Sequence, residues 1–543
     1  MHIEELDDAG FAKWRARIAL ILDDKIDLGS LKGRICVVQQ VDGLVSLFTL
    51  AEYTHSDEAD EIERLVRLKG YVLAAVPRYQ VAAPLLLAVA EWGDGPTALR
   101  GTRDHSALAA AFDEIVAWGV RQHASDIHFN VRSQHPDSAV RFTIDGRYVQ
   151  PACFAAIPST TASDMLAVAW MRVRGGNGAV FDPNVEQQGR LLAHVDARPI
   201  MLRWASLATD AGPSVCLRVL RLDMEIQGCS LASLGYLPSQ IDALVQASAL
   251  EGGAIVIGGM VGSGKSTTLA ALLSSISPHR KLITLEDPVE YVFPGALQNT
   301  LSRSLIEDDD LVFDAKLRTL KRSALDDLLI GEIRDRQTGR AFMDLVASGT
   351  RVYASTHAGS AMLIPARLAS DFIGVSADLL ASPGILKLLI YQVLLPRLCG
   401  QCLLPCKHLS RRLTAQIDDL GIASAQLRVR NTSGCAACRL DHVPELWGYA
   451  GRTVAAEWLA PGDDEQMLDC IRRHDAAALS CYLRARKSTD VGDADMTNKT
   501  VAACALHKVV MGEVDIHDVL ARMVLPTYRQ HAVQGSERVP TCL

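Results

Sequence analysis

The chain has 543 residues, 49% of them apolar and 22% charged, with a formal net charge of −8. That length is too great for one ordinary hydrophobic core and predicts three or four domains. The acidic balance is unlike that of a protein that coats nucleic acid, and no apolar run approaches the roughly 18–20 residues that cross a bilayer. The opening segment 1–8 is acidic where a secretory signal is basic, so a soluble cytosolic protein is expected. The 13 cysteines, an odd number spread along the chain, do not form the pattern of a secreted disulfide framework.

Residues 1–100 mix short apolar runs, Ile35–Val38 and Leu44–Leu50, with a charged helical segment near Asp57–Arg67. They carry no recognisable chemistry and read as an adaptor domain, followed by linker-like Trp92–Pro96. Residues 101–228 read as a small α/β domain. Ala107–Trp118 has apolar residues at helical spacing, Val140–Ile144 alternates as a strand, and Asp145-Gly146 signals a turn. Ser125, Asp126 and His128 fit a helix cap or strand start with a structural or interface role.

From residue 229 the pattern is that of an α/β core with a parallel sheet. Apolar Ala254–Ile257 predicts a strand, and Ser266–Leu273 begins a helix. Between them lie Gly259, Gly262, Ser263, Gly264, Lys265, Ser266 and Thr267, a GxxxxGK[ST] phosphate loop and its first helical residues. The glycines let backbone N–H groups curl around phosphates, and the helix N-terminus adds its dipole. Lys265 is the expected partner of the β- and γ-phosphates of ATP, and Ser266 that of Mg²⁺. Two further apolar strands, Leu282–Leu285 and Asp327–Ile330, deliver the carboxylates Glu286, Asp287, Glu290 and Glu332. In this order after a phosphate loop, such carboxylates serve the metal and the attacking water.

Cys399 and Cys402, then Cys435 and Cys438, form two CxxC pairs. Four thiolates at this spacing suit a closed tetrahedral Zn²⁺ site; a redox pair or free thiols are the rival readings, and Cys406 and His408 are spare ligands nearby. Residues 396–450 therefore read as a tetracysteine element, and residues 460–543 as a helical C-terminal region whose last amphipathic segment is Asp515–Met523.

Several segments resemble one family. Ile283–Tyr291 resembles the Asp box of the type II secretion and type IV pilus assembly ATPases, Ile330–Asp335 their Walker B strand, and Ser348–His357 their His box. Upstream, Ala124–Phe129, Gln187–Arg190, Arg203–Leu207 and Arg218–Leu220 resemble the domain that precedes the motor. The tetracysteine element resembles that of the assembly and secretion branch, which retraction ATPases generally lack. The resemblance implies a RecA-type P-loop core, a preceding PAS-like domain and a zinc-knuckle insertion. It also implies ATP hydrolysis in a hexameric ring that acts on an inner-membrane platform protein from the cytoplasmic face of the membrane, without nucleic acid.

Carried over by residue, Glu290 polarises the attacking water, Glu332 shares that work, and His357 senses the γ-phosphate. Arg203 and Arg218 approach the phosphates from the small domain, and Arg318 and Arg322 lie near the subunit contact. The chain departs from the family in having Ala324-Leu325-Asp326 before the Walker B strand and Thr350 where the His box has its first histidine. The lost histidine is expected to leave a contact missing from the nucleotide site, and a non-catalytic ring scaffold is the alternative function.

Overall fold

The computed structural model describes residues 3–6, 17–22, 25–26, 28, 31, 34–81, 86, 98–221, 230–287, 289–293, 295–300, 309–407, 409–420, 422–440, 443–486 and 493–524. Trp92–Pro96, read as a linker, lies outside these residues. The chain divides into two compact units, Met1–Ile115 with Ser163–Met171, and Val116–Ala162 with Arg172–Leu543.

In the first unit, β1 (Ile3–Leu6), β2 (Ile18–Ile21), β3 (Ile35–Gln40), β4 (Val45–Thr49) and β5 (Leu73–Val81) form one sheet in the order β1-β5-β4-β3-β2. The two apolar runs become the antiparallel pair β3–β4, with Cys36 opposite Phe48. Helix α1 (Asp57–Leu68) starts at Ser56, whose hydroxyl accepts the Ala59 N–H, and three acidic residues follow in its first turn. Its inner face, Ala59, Ile62 and Val66, packs on Val37, Val45 and Leu47. Beside it Arg78 is buried, donating from Nε to Glu63 Oε1 at 2.6 Å and from Nη1 to the Thr54 carbonyl at 2.9 Å. A guanidinium out of water is tolerated only when so paired.

Helix α2 (Ala98–Arg121) leads into the small sheet of the second unit. Its strands are β6 (Asp126–Asn130), β7 (Asp137–Ile144), β8 (Arg147–Val149), β9 (Ile157–Pro158), β10 (Gln188–Val195), β11 (Arg198–Leu207) and β12 (Ser214–Arg221). They pair antiparallel in the order β10-β11-β12-β6-β7-β8, with β9 on β7. Side chains alternate strictly on β11: Leu202 and Trp204 point into the core, Arg203 and Ala205 out. Asp145 and Gly146 both take positive φ, 50° and 75°, as the two-residue hairpin between β7 and β8 demands.

The large sheet comprises β13 (Ala254–Gly258), β14 (Leu282–Glu286), β15 (Leu297–Thr300), β16 (Asp327–Ile330), β17 (Arg351–Thr356), β18 (Leu386–Leu398) and β21 (Tyr449–Leu459). Its order is β15-β14-β16-β17-β13-β18-β21, parallel except for the last pair. Both faces are covered, so the strands read as continuous apolar runs. Val256, Leu328 and Val352 face α6 (Arg336–Ala347), whose Phe342 and Leu345 join the same core. Ile255, Ile257 and Leu329 face α3 (Pro238–Ala249) and α4 (Lys265–Leu273).

Helices α8 (Glu465–Arg472), α9 (Ala476–Ala485), α10 (Val501–Val510) and α11 (Ile516–Leu520) occupy the C-terminal region as far as residue 524. Among the described residues no helix is long and apolar enough to cross a membrane.

One buried carboxylate ties this region to the sheet. Glu457 on β21 accepts the Ala361 N–H from Oε1 and the Val501 N–H from Oε2, both at 2.8 Å, and so caps two helix starts at once. Burial pushes its carboxyl above the usual range, against the pull of those two N–H groups. Glu457→Ala orphans both donors, and we expect a loss of about 3 kcal/mol of unfolding free energy by denaturant titration.

Candidate nucleotide and metal sites

Strands β13, β14, β16 and β17 run parallel, so the loops that follow Gly258, Glu286, Ile330 and Thr356 leave from one edge of the sheet. In open α/β sheets this carboxyl edge is where ligands bind. The first loop holds Gly262 and Gly264 at φ 73° and 85°, which side-chain-bearing residues rarely adopt. A Cβ at Gly259 would lie 2.3 Å from Ser263 Oγ and 2.8 Å from the Gln392 carbonyl, so only glycine fits there. Gly264 is the N-cap of α4, which leaves the first N–H groups of the helix directed at the loop.

Lys265 folds back over the loop, donating from Nζ to the Gly259 and Met260 carbonyls at 3.0 Å each. Burial pushes its ammonium pKa below the ordinary value, and the charges of Glu332 and Glu290 reach it and act the other way. His357 bridges two adjacent loops. Its Nε2 lies 2.9 Å from Glu332 Oε1 and its Nδ1 3.0 Å from the Gly259 carbonyl. Lys265, Glu290, Glu332 and His357 thus gather at one place, while Ser266 is exposed at the start of α4.

The other two acids do different work. Glu286 is buried within β14, where Thr284 Oγ1 and Gln298 Nε2 donate to its Oε1 at 2.6 and 3.1 Å, and burial pushes its pKa up. Asp287 pairs with Arg334, which also stands 4.0 Å from Glu332 Oε2.

On the small sheet the register sets Arg190, Arg203, Arg218 and Asp126 in one row across β10, β11, β12 and β6. Arg218 Nε donates to Asp126 Oδ1 at 3.0 Å, which gives the aspartate of the Ser125–His128 segment a structural partner. Burial lowers and Asp126 then raises the pKa of Arg218, with a net upward shift, and the charge of Glu290 also reaches it. Arg203 is exposed in the same row. Arg318, on α5 (Asp309–Lys321), and Arg322 just beyond it are both exposed, on the segment that precedes β16.

The expectation for Thr350 needs correction. Thr350 precedes β17, beside Ser348, at the end of the strand opposite His357. Seven residues of extended chain span roughly 23 Å. The residue that replaces the first histidine therefore takes no contact away from this chain's own phosphate loop.

Sequence reasoning missed the groups that brace the loop. Tyr291 OH lies 2.8 Å from Thr267 Oγ1, and Gln392, wholly buried on β18, donates from Nε2 to the Ser263 carbonyl at 2.8 Å. The available signal was a lone amide in the apolar run Leu388–Leu395, a polar group that must find partners when buried.

The four cysteines lie beyond the distal ends of the β18–β21 hairpin. Cys399 directly follows β18, its N–H bonds the Gly448 carbonyl at 2.9 Å, and Gly448 directly precedes β21. Between the knuckles run the two-residue strands β19 (Leu404–Pro405) and β20 (Arg428–Val429) and helix α7 (Arg411–Asp419). The sulfurs of Cys399 and Cys435 are 3.8 Å apart, those of Cys402 and Cys438 3.6 Å, and those of Cys435 and Cys438 3.7 Å. A tetrahedral zinc with bonds of about 2.3 Å requires sulfurs about 3.8 Å apart, so the donor set fits. Burial raises the Cys438 thiol, but its Sγ accepts the Cys435 and Gly448 N–H groups at 3.2 Å each, which pulls it down, while burial and the neighbouring sulfurs push the Cys402 thiol up.

Cys406 is not part of the cluster; it packs with the C-terminal core, and His408 lies outside the described residues.

A profile of the family described as "Type II/IV secretion system protein" matches residues 102–511, well over half of the chain. The chain belongs to this family of secretion and pilus-assembly ATPases. Its relatives include the type II secretion system protein HxcR of Pseudomonas aeruginosa, 29% identical over 68% of this chain and 70% of that one. The type IV pilus assembly ATPase PilB of Thermus thermophilus is 28% identical over 78% of this chain but only 43% of its own length. The X-ray structure of the Legionella pneumophila ATPase DotB superposes with a TM-score of 0.50 at 17% identity, over 76% of this chain and 95% of that one. The family's RecA-type core, preceding small α/β domain and tetracysteine cluster are all present.

Protein purified without chelator should carry about one zinc per chain by elemental analysis. Replacing Cys399 and Cys402 by serine should abolish zinc retention and leave the phosphate loop folded; zinc-free wild-type protein would refute the four-thiolate site.

Proposed function

We propose that the chain is an ATP-hydrolysing motor that drives type IV pilus assembly or type II secretion through an inner-membrane platform protein. The observation that carries this reading is the gathering of Lys265, Glu290, Glu332 and His357 over the phosphate loop at one sheet edge. In it, Lys265 and the loop N–H groups hold the phosphates, and Ser266 with Glu332 would hold Mg²⁺. Mg²⁺, when bound, neutralises charge on the β- and γ-phosphate oxygens. Glu290 orients the attacking water, and His357, joined to both Glu332 and the loop, registers the γ-phosphate.

Arg203 and Arg218 supply positive charge from the small sheet. A site completed by a separate sheet is gated by that sheet's approach. A hexameric ring at the cytoplasmic face of the inner membrane is the assembly in which such gating yields movement. In this reading residues 1–100 serve as the adaptor, and the tetracysteine zinc element favours assembly over retraction. The alternative of a non-catalytic scaffold rested on Thr350. Its place at the far end of β17 from His357 supports the catalytic reading as far as this chain's own phosphate loop is concerned.

Lys265→Ala should reduce phosphate release at least a hundredfold, and Glu332→Gln should slow hydrolysis while nucleotide binding persists. Wild-type turnover in the Lys265 variant would sink the assignment. Arg218→Ala should lower kcat more than nucleotide affinity, because its contact strengthens as charge develops. Specific activity per chain should fall on dilution from ring to monomer; constant activity across that series would deny the ring a role in turnover.

A further inference from the structure

The phosphate loop is held from beneath by a polar pair that sits entirely inside the core. Gln392 is 0% exposed and Tyr236 4% exposed. Tyr236 OH donates to Gln392 Oε1 at 2.5 Å, and Gln392 Nε2 donates to the Ser263 carbonyl at 2.8 Å. Thr268 Oγ1, on the first turns of α4, lies 3.4 Å from the same phenol. Burial raises the phenol pKa, so Tyr236 keeps the proton it donates.

The direction of these bonds matters more than their number. A trans peptide presents its C=O and its N–H on opposite sides. The Ser263–Gly264 peptide has its carbonyl drawn down to Gln392. Its N–H, that of Gly264, is therefore turned up toward the concave side of the loop, where a phosphate would sit. Gly264, at φ 85°, follows this peptide and leaves it freer to rotate than one followed by a residue with a side chain. Something must select its orientation. Gln392 can do so only if its amide is the right way round, because a flipped amide would set oxygen against oxygen at Ser263. The Tyr236 hydroxyl donates to the oxygen end at 2.5 Å and so favours the amide orientation that turns Nε2 to Ser263.

We infer that Gln392, oriented by Tyr236, is a positioning residue that aims the Gly264 N–H at the nucleotide phosphates. The inference deepens the ATP reading and rests on it. It assigns to two buried side chains, neither able to touch nucleotide, part of the affinity for the phosphate tail.

The test separates positioning from stability by its choice of variants. Gln392→Met keeps the length of the side chain but removes the amide and orphans the phenol, so it should both lower the melting temperature and weaken binding. Tyr236→Phe with Gln392→Met removes the phenol together with the amide and leaves only the Ser263 carbonyl without its donor, so it spares the cost of the orphaned hydroxyl. With full-length protein, we expect the double variant to melt above the Gln392→Met single variant. It should bind ADP about tenfold more weakly, with inorganic pyrophosphate losing its ability to compete for the site in the same proportion. Tyr236→Phe alone should show a smaller loss of affinity, roughly threefold, since the amide can then flip. Wild-type ADP affinity in the double variant would overturn the inference while leaving the phosphate loop assigned. Recovery of affinity in step with recovery of the melting temperature would also overturn it, by reducing the pair to a structural role. Failure of the wild-type protein itself to bind ADP would overturn the nucleotide reading and this inference with it.

Discussion

The candidate site depends first on the register of three neighbouring strands. Gly258 of β13 lies level with Thr356 of β17, and Ile330 of β16 lies level with Ala354. That pairing alone sets the loop carbonyl of Gly259 and the carboxylate of Glu332 on the two sides of His357. The period of a strand is two, so a slip of one residue in β17 would turn the side chains to the opposite face and carry His357 away from both partners. Register here is secured by burial on both faces. Val352 and Ala354 enter one core and Tyr353 the other.

Much of this was legible beforehand because the relevant signals are local. Ala254–Ile257, Leu282–Leu285 and Asp327–Ile330 are short, apolar and bounded by glycine or acids, and each is a strand, the first two running one residue further than expected, to Gly258 and Glu286. The two CxxC pairs announce themselves by spacing, and their sulfurs converge. What could not be read is set by pairing between distant segments. Nothing near Gln392 reveals that Tyr236 and Ser263 would meet it, 156 and 129 positions away. The role of Thr350 was misread for a related reason. A motif is written as one line of sequence, but a strand in its middle puts its two ends on opposite edges of the sheet.

Polar groups placed inside the protein share one logic. Arg78, Glu457 and Gln392 each accept burial only with two or more partners, and each joins elements remote in sequence. Hydrophobic packing makes such neighbourhoods; hydrogen bonds, being directional, choose one arrangement within them. Where a backbone must keep an unusual conformation for binding, as at Gly262 and Gly264, this choice matters most.

Strand β18 has a property that neither candidate site has alone. It is one run from Leu386 to Leu398 that floors the phosphate loop at Gln392 and reaches the cysteine knuckle at Cys399. Its first half, Leu386–Tyr391, pairs with β13, and Leu389–Leu398 pairs with β21. Its ladder bonds lie across the strand, so a pull applied along its axis loads them together in shear, and they fail collectively rather than one after another as in unzipping.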